Sequence, residues 1–231
     1  DYAKFGEVER VDLSRIARIS GPALARNAMV IPHVTNFDEA DVTDLDAFRQ
    51  DANADGREIK LSLLPFAVKA AAATLKSFPR FNSSLDGSQL VLKKYINIGV
   101  AADTPEGLVV PVIKAADAKN ISEIAEEMAQ LASEARKGRL SPQSMQGATF
   151  TISSLGGIGG TNFTPIINAP EVAILGMTRA TIQPVWDGEG FRPRLIQPVS
   201  LSWDHRVVDG WDGASFIQAL KRRLEAPALI L

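Results

Sequence analysis

The pattern of apolar and polar residues predicts helices in three stretches of the chain, and in the second of them apolar residues recur every three or four positions, as in an amphipathic helix. The first covers residues 62–78, is rich in Ala, Leu and Lys, and stops before Pro79. The second covers residues 122–137 and precedes Gly138, where a C-terminal cap is expected. The third covers residues 212–225. The apolar stripe of the second helix is formed by Ile124, Met128, Leu131 and Ala135.

A further helix is predicted to start at Thr43. Asp46 follows three positions later, in an arrangement that resembles a capping box. Leu45 and Phe48 mark the inner face of this helix, and residues 53–58 are predicted to form the loop after it.

The start of the chain is less regular. Residues 1–10 are polar with a few apolar anchors and predict an arm that packs on another surface. A near-helical apolar spacing follows, but Gly21 and Pro22 interrupt it. The apolar positions of this segment are Leu13, Ile16, Ile19 and Leu24.

Extended segments alternate with these helices. Residues 29–42 are rich in β-branched residues and contain Pro32, which suits a strand at an edge or a bulge. Two strands joined by the turn Thr-Pro-Glu-Gly are predicted at residues 90–103 and 108–114. Buried strands are predicted at residues 148–153, 172–178 and 194–203, with a hairpin turn at 187–190 between the last two.

Helices that alternate with strands, together with one antiparallel hairpin, predict an α/β fold with a mixed sheet. The sequence has no internal repeat and no low-complexity linker, so residues 1–231 are expected to form a single domain. The chain begins without an initiator Met and without a signal-like apolar region, which indicates a domain taken from a longer protein.

Composition narrows the function classes. The formal net charge is −2, without the basic excess typical of nucleic-acid binding. The chain has no cysteine, which excludes disulfides, thiolate metal sites and a cysteine nucleophile. No apolar run approaches the roughly 20 residues that span a bilayer, and neither histidine is spaced for a metal site. We therefore expect no nucleic acid, membrane or metal partner.

The two histidines are the first candidates for acid–base chemistry. His205 follows an apolar strand and is flanked by Asp204, Arg206 and Asp209, which suits a catalytic base. A structural histidine bonded to local carboxylates remains the alternative. His33 is the weaker candidate, and a core or interface histidine is its default interpretation.

A glycine-rich segment, residues 151–160, is the second candidate. A strand ends there in two serines, and either hydroxyl could donate a hydrogen bond to a developing oxyanion. The segment matches neither the dinucleotide-binding nor the phosphate-binding glycine pattern, nor the nucleophile elbow of hydrolases. A tight loop without a ligand is the alternative.

The stretch Asp-His-Arg-Val-Val-Asp-Gly at residues 204–210 resembles the His-x-x-x-Asp-Gly signature of the chloramphenicol acetyltransferase superfamily and of the acyltransferase catalytic domains of 2-oxo acid dehydrogenase complexes. Further segments resemble the same family in the same order, so the resemblance covers nearly the whole chain. They are residues 31–43, 79–85, 93–113, 145–176 and 198–210. The resemblance implies a chloramphenicol acetyltransferase-like two-layer sandwich, with a mixed β-sheet flanked by helices.

The segment Ile-Pro-His-Val-Thr at residues 31–35 is similar to the version found in family members that carry acetyl groups. The resemblance therefore implies transfer of an acetyl group between a dihydrolipoyl arm and coenzyme A, in the core of a pyruvate dehydrogenase complex. Succinyl or branched-chain transfer, an acceptor such as an antibiotic hydroxyl, and a catalytically silent scaffold are the alternatives. Retention of His205 and Ser153 argues against the scaffold.

The resemblance also implies roles for single residues. His205 corresponds to the catalytic base, Ser153 to the oxyanion-stabilising serine, and Asp209 to a carboxylate that is chiefly structural or orienting. Both acyl carriers are substrate thiols, so transfer is expected to be direct, without an acyl-enzyme. Coenzyme A is expected as a substrate, and its phosphates are expected to meet Arg80, Ser83, Lys93 and Lys94.

Family members form homotrimers with active sites between subunits, and trimers join into larger hollow cores. The expected partners are lipoyl domains and the pyruvate dehydrogenase and dihydrolipoamide dehydrogenase components, in the bacterial cytoplasm or the mitochondrial matrix. Lipoyl and subunit-binding domains are expected upstream. The apolar residues 228–231 after Pro227 are expected either to fit a neighbour's pocket or to cap their own core.

Overall fold

The computed structural model describes residues 1–54, 56 and 58–230. The helices are α1 (Arg15–Val30), α2 (Thr43–Ala54), α3 (Leu63–Ser77), α4 (Ile121–Arg136) and α5 (Gly210–Glu225). The strands are β1 (His33–Asp41), β2 (Ser83–Asp86), β3 (Gln89–Leu92), β4 (Ile98–Val100), β5 (Val112–Ile113), β6 (Phe150–Ser154), β7 (Ala173–Met177), β8 (Thr181–Trp186) and β9 (Phe191–Asp204).

One mixed sheet of seven strands organises the molecule. Its order is β1-β9-β7-β6-β4-β5, and β8 pairs with the first residues of β9. The neighbours β4, β6 and β7 run parallel, whereas the other pairings of this sheet are antiparallel. Strands β2 and β3 form a separate hairpin. The predicted α/β fold with a mixed sheet is confirmed.

One face of the sheet is covered by helices and holds the main core. Side chains alternate along a strand, so every second residue of β6, β7 and β9 enters this core together with α3, α4 and α5. Phe216 of α5 stacks on Phe81 at 4.2 Å between ring centroids. A Cβ at Gly213 would lie 2.7 Å from the indole nitrogen of Trp203, so α5 packs directly on β9.

The opposite face carries small and polar side chains in its centre. Thr151 and Ser153 lie on this face of β6. Gly176 of β7 pairs with Ser153, and Ser200 of β9 pairs with Gly176. Phe163 covers Gly176 so closely that a Cβ there would lie 2.8 Å from its ring. This polar face is the one that the candidate site uses.

The expected interruption of the helical pattern at Gly21 and Pro22 is wrong, because helix α1 continues through both residues. A proline inside a helix removes a backbone hydrogen bond and costs about 3 kcal/mol in isolation. Contacts at both ends hold the helix. Ser14 accepts a hydrogen bond from the Ala17 amide at 3.1 Å, and the side chain of Asn27 donates to the Ile167 carbonyl at 3.0 Å.

Two predicted features near α2 are also wrong. The extended segment expected from residue 29 begins only at His33, because α1 reaches Val30. Thr43 forms no capping box with Asp46. Its amide and hydroxyl both donate to Asp41, at 3.1 and 2.6 Å, whereas Asp46 accepts from Arg49 and Gln50. Asp55 and Arg57 of the predicted loop lie outside the described residues.

Among the other predicted elements, the strand expected at residues 90–103 is divided into β3 and β4, which lie in different sheets, and the strand expected at residues 108–114 is reduced to β5. The predicted helices are close to those observed. Helices α3, α4 and α5 begin and end within two residues of the predicted bounds. The turn at residues 187–190 joins β8 to β9, but β8 was not predicted, since Pro184 and its exposed side chains obscure the strand pattern. No helix in the described part of the chain is long and apolar enough to cross a membrane.

Candidate active site

His205 directly follows β9, at the end of the sheet where β7 begins. Its amide donates to the Pro32 carbonyl at 3.1 Å. Its exposed imidazole lies 4.8 Å from the ring of Trp203, inclined by 56°. Within the described residues neither ring nitrogen has a hydrogen-bond partner. The backbone of His205 is therefore fixed, and both ring nitrogens are available to hydrogen-bond a ligand.

The neighbours of His205 form a rigid charged frame. Asp204 is buried and accepts three hydrogen bonds from the guanidinium of Arg206, the shortest at 2.7 Å, and one from its amide at 3.0 Å. The hydrogen bond to Asp204 raises the pKa of Arg206 above its ordinary value. This bidentate pair closes the turn that presents His205.

Asp209 has a structural position. Its carboxylate accepts from the Asp212 amide at 2.9 Å and thereby caps the N-terminus of α5. No contact with the His205 ring is formed within the described residues. A supporting role for Asp209 fits this geometry.

Ser153 lies near the end of β6, half-buried on the polar face of the sheet. The glycine-rich segment follows at once. The amide of Leu155 donates to the Met177 carbonyl at 2.8 Å, and Gly159 and Gly160 take positive φ angles of 128° and 87°. The Ser154 hydroxyl accepts from the Gly156 amide at 3.4 Å. Ser153 is therefore the serine of this pair without a local hydrogen bond among the described residues.

The structure does not bring His205 and Ser153 together in one chain. Ser153 pairs with Gly176, and Gly176 pairs with Ser200, five residues before His205. Two strand spacings across and five residues along correspond to roughly 19 Å between the Cα atoms. The two side chains together span only about 7 Å. Within one chain, His205 and Ser153 thus lie near opposite ends of the parallel strands.

His33 is held by backbone on both sides. Its Nε2 accepts from the Ile167 amide at 3.0 Å, so Nδ1 carries the proton and donates to the Ile31 carbonyl at 2.8 Å. The ring anchors the segment that covers the polar face, as a structural histidine would.

The four residues expected to meet phosphates differ in accessibility. Arg80 and Lys94 are exposed, and the Arg80 guanidinium lies 3.8 Å from Asp212 at the start of α5. Ser83 is fully buried and donates to the Arg80 carbonyl at 2.5 Å. The ammonium of Lys93 donates inward to the Ser83 carbonyl at 3.3 Å. These positions favour Arg80 and Lys94 over Ser83 and Lys93 as groups that reach an anionic ligand.

Sequence reasoning missed Glu171, a buried carboxylate just before β7. Burial raises its pKa to about 7, although the Thr151 hydroxyl and the Lys93 ammonium oppose the shift. Burial also lowers the pKa of Lys93. A glutamate directly before a continuous apolar strand was the available signal in the sequence. No group of three or more His, Asp or Glu residues within the described part of the chain is arranged to hold a metal ion.

Residues 5–231 match the family model of the 2-oxoacid dehydrogenases acyltransferase catalytic domain. A Cupriavidus necator relative, the dihydrolipoyllysine-residue acetyltransferase component of pyruvate dehydrogenase complex, is 61% identical over 94% of this chain and 39% of its own length. The component of the same name from Haemophilus influenzae is 56% identical over 95% and 40%. The chain thus spans about two fifths of the length of these curated relatives.

Solved structures agree with the predicted fold. A structure of Azotobacter vinelandii dihydrolipoamide acetyltransferase has a TM-score of 0.96 and 51% identity, and the match covers 100% of this chain and 97% of that one. The cubic core of a pyruvate dehydrogenase multienzyme complex has the same TM-score at 52% identity, with the same coverage. Chloramphenicol acetyltransferase, at 14% identity, 91% and 94% coverage and a TM-score of 0.58, shares the fold.

Proposed function

The chain belongs to the family of 2-oxoacid dehydrogenase acyltransferase catalytic domains, and on that premise we propose that it transfers an acetyl group between a dihydrolipoyl thiol and coenzyme A. The names of the curated relatives support acetyl over succinyl or branched-chain groups. In this proposal His205 is the general base and Ser153 stabilises the oxyanion.

The chemistry of the substrates suits a chain without cysteine. A thiol with a pKa of about 8.5 is only a few per cent ionised at neutral pH, so a base that removes its proton accelerates attack. His205 takes the proton of the attacking thiol, and the thiolate adds to the thioester carbonyl. Ser153 donates to the resulting oxyanion. The intermediate then collapses, and His205 returns the proton to the leaving thiol.

The spacing of the two residues is the observation that carries this proposal. The Azotobacter vinelandii study concerns a serine, a histidine and an asparagine in the catalytic mechanism, at positions 558, 610 and 614 of that protein. The same intervals separate Ser153, His205 and Asp209 here. This chain carries Asp where that relative carries Asn, and its carboxylate caps α5.

The separation of His205 and Ser153 supports a site shared by two copies of the chain. His205 of one copy and Ser153 of the next would face the same thioester, and a ring of three copies gives every site this composition. Arg80 lies on the His205 side, linked to α5 through Asp212, and Arg80 and Lys94 would bind the phosphates of coenzyme A.

The C-terminal end of the chain bears on whether rings of three copies assemble further. Helix α5 ends at Glu225, and Pro227–Leu229 forms a short 3-10 turn. Ile230 is buried in the chain's own core, whereas Leu229 is 61% exposed, and Leu231 lies outside the described residues. We propose that trimers join further into a core that works in the bacterial cytoplasm with lipoyl domains and the other two enzyme components. A solution mass of three chains would contradict the larger core.

The function is tested by acetyl transfer between acetyl-CoA and free dihydrolipoamide. We expect acetyl-CoA to be preferred over succinyl-CoA and branched acyl-CoA, and His205→Ala to lower the rate by about 10³-fold or more. The variant should keep its melting temperature, because the ring is exposed. Wild-type-like transfer by His205→Ala would refute the role of the base, and preference for another acyl group would refute the specificity.

A further inference from the structure

Phe163 lies over the strand next to Ser153, and the proposed reaction gives it no part. It belongs to the segment of residues 161–169, which leads from the glycine-rich stretch back to β7. A Cβ at Gly176 would lie 2.8 Å from Cζ and 3.0 Å from Cε1 of Phe163. The tip of the ring therefore occupies the space that a side chain at Gly176 would fill. The residue is half-buried, so part of the ring stays accessible.

Contacts on both sides of the ring hold this segment on the sheet. Before the ring, the Thr178 hydroxyl donates to the Thr161 carbonyl at 2.9 Å. After it, the Ile167 amide donates to Nε2 of His33 at 3.0 Å, and the Ile167 side chain packs on Ile174 of β7. Ile174 and Gly176 are two positions apart on β7, so the segment covers one face of this strand along most of its length. The ring is thus held in place from both directions.

The register of the sheet places this ring beside the oxyanion donor. Ser153 of β6 is paired directly with Gly176 of β7, and paired residues of neighbouring strands point to the same face. Neighbouring strands are about 4.8 Å apart, so Cζ of Phe163 lies within about 8 Å of the Ser153 Cβ. The Ser200 hydroxyl fills the space above Gly176 from the other side. An acyl group that extends from Ser153 across β7 therefore meets the Phe163 ring.

The chemistry of a phenyl ring suits the exclusion of two kinds of acyl group. A bulky apolar group such as isobutyryl collides with the ring, because a ring held in place by its neighbours cannot yield without loss of packing. A charged group such as succinyl would bring its carboxylate against an apolar surface that offers it no hydrogen bond, which is unfavourable. The acetyl methyl is small and apolar and has neither disadvantage.

We propose that Phe163 forms the wall of the acyl pocket and limits transfer to the acetyl group. The inference rests on the proposed function. When the thioester oxygen accepts a hydrogen bond of about 3 Å from Ser153, the acyl chain points across Gly176 toward the ring. A methyl group fits in this space, whereas a longer or branched chain contacts the ring. The wall and the oxyanion donor then belong to the same chain.

The test measures kcat/KM for acetyl-CoA, isobutyryl-CoA and succinyl-CoA, with free dihydrolipoamide as the acceptor. In Phe163→Ala the ratio of isobutyryl to acetyl transfer should rise about tenfold or more over wild type, because an apolar pocket discriminates by at least this factor for each extra carbon. The ratio of succinyl to acetyl transfer should rise less, since the truncation supplies no partner for the carboxylate. Phe191→Ala makes the same change at a residue that is 70% exposed and should leave both ratios unchanged.

A second variant covers the case in which Phe163→Ala does not fold. Phe163→Leu keeps part of the apolar packing on Gly176, so it should raise the isobutyryl-to-acetyl ratio by a smaller factor. An unchanged ratio in the folded variant, with transfer of both groups reduced equally, would show that the ring only supports its segment and would overturn the inference. Absence of acetyl transfer in wild type, or a wild-type preference for another acyl group, would instead overturn the proposed function, so the two failures are distinguishable.

Discussion

The two ends of the parallel strands differ in the kinds of side chain that they carry. At the His205 end, the buried carboxylate of Asp204 is paired with the partly exposed guanidinium of Arg206. At the Ser153 end, a half-buried hydroxyl is followed by a glycine-rich segment in which Gly159 and Gly160 have positive φ angles. A proton carrier needs a fixed backbone and a free ring, whereas an oxyanion donor needs space for the substrate carbonyl. This difference fits the proposal that His205 of one chain and Ser153 of its neighbour complete one site.

The largest effect on the Ser153 end is expected from Ser153→Ala. Loss of one oxyanion donor should lower kcat by about 10²–10³-fold with little change in KM. Ser154→Ala is the matched control, because Ser154 already accepts a local hydrogen bond. A rise in KM at constant kcat would mean that Ser153 binds the substrate instead.

Glu171 lies just before β7, at the His205 end, and should make the free energy of unfolding depend on pH. The unfolded chain holds this proton only up to its ordinary pKa of 4.5, whereas the folded chain holds it to about 7. Wild type therefore loses stability as pH rises from 4.5 to 7. Glu171→Gln lacks this loss, so its free energy of unfolding should exceed that of wild type by about 3 kcal/mol at pH 8 and by little at pH 4.5. Urea unfolding at pH 4.5 and pH 8 measures these free energies. An equal difference between the variant and wild type at the two pH values would contradict the burial argument.

Arg206→Ala should weaken the His205 end. It leaves the buried carboxylate of Asp204 without its partner, which we expect to cost about 2 kcal/mol, since the guanidinium is 40% exposed and the pair is partly screened. The companion variant Asp204→Asn leaves no unpaired buried charge and should cost less. Equal losses would show that the ion pair does not determine the rigidity of this turn.

The smallest effect concerns the cap of α5. Asp209→Ala should lower the free energy of unfolding by about 1 kcal/mol, whereas Asp209→Asn, which keeps a capping oxygen, should lower it by a few tenths. Thermal unfolding compares the two. A loss of activity in Asp209→Asn without a loss of stability would assign this carboxylate a direct part in the reaction.

The sequence predicts the periodic elements well, because burial of an apolar stripe determines where helices α3, α4 and α5 form. The sequence-based predictions fail where contacts of individual side chains determine the local structure. Thr43 hydrogen-bonds Asp41 rather than capping α2 with Asp46, and α1 tolerates Pro22 through contacts at its ends.

The candidate site, too, could be predicted from the sequence only in part. His205 and Ser153 follow from the resemblance to the family, but their placement at opposite ends of the sheet follows only from strand order and register. The inward turn of Lys93 and the burial of Glu171 depend on contacts between distant segments, which a single sequence does not display.

A mixed assembly tests the division of the site between two chains most directly. His205→Ala and Ser153→Ala are co-expressed with different tags, and assemblies that contain both chains are purified. If each site takes His205 from one chain and Ser153 from its neighbour, random mixing leaves about one quarter of the sites intact in a core of many trimers, and about one third in a single trimer that contains both chains. The account predicts acetyl transfer at about a quarter to a third of the wild-type rate, far above either variant alone. Activity no higher than the average of the two single variants would contradict it.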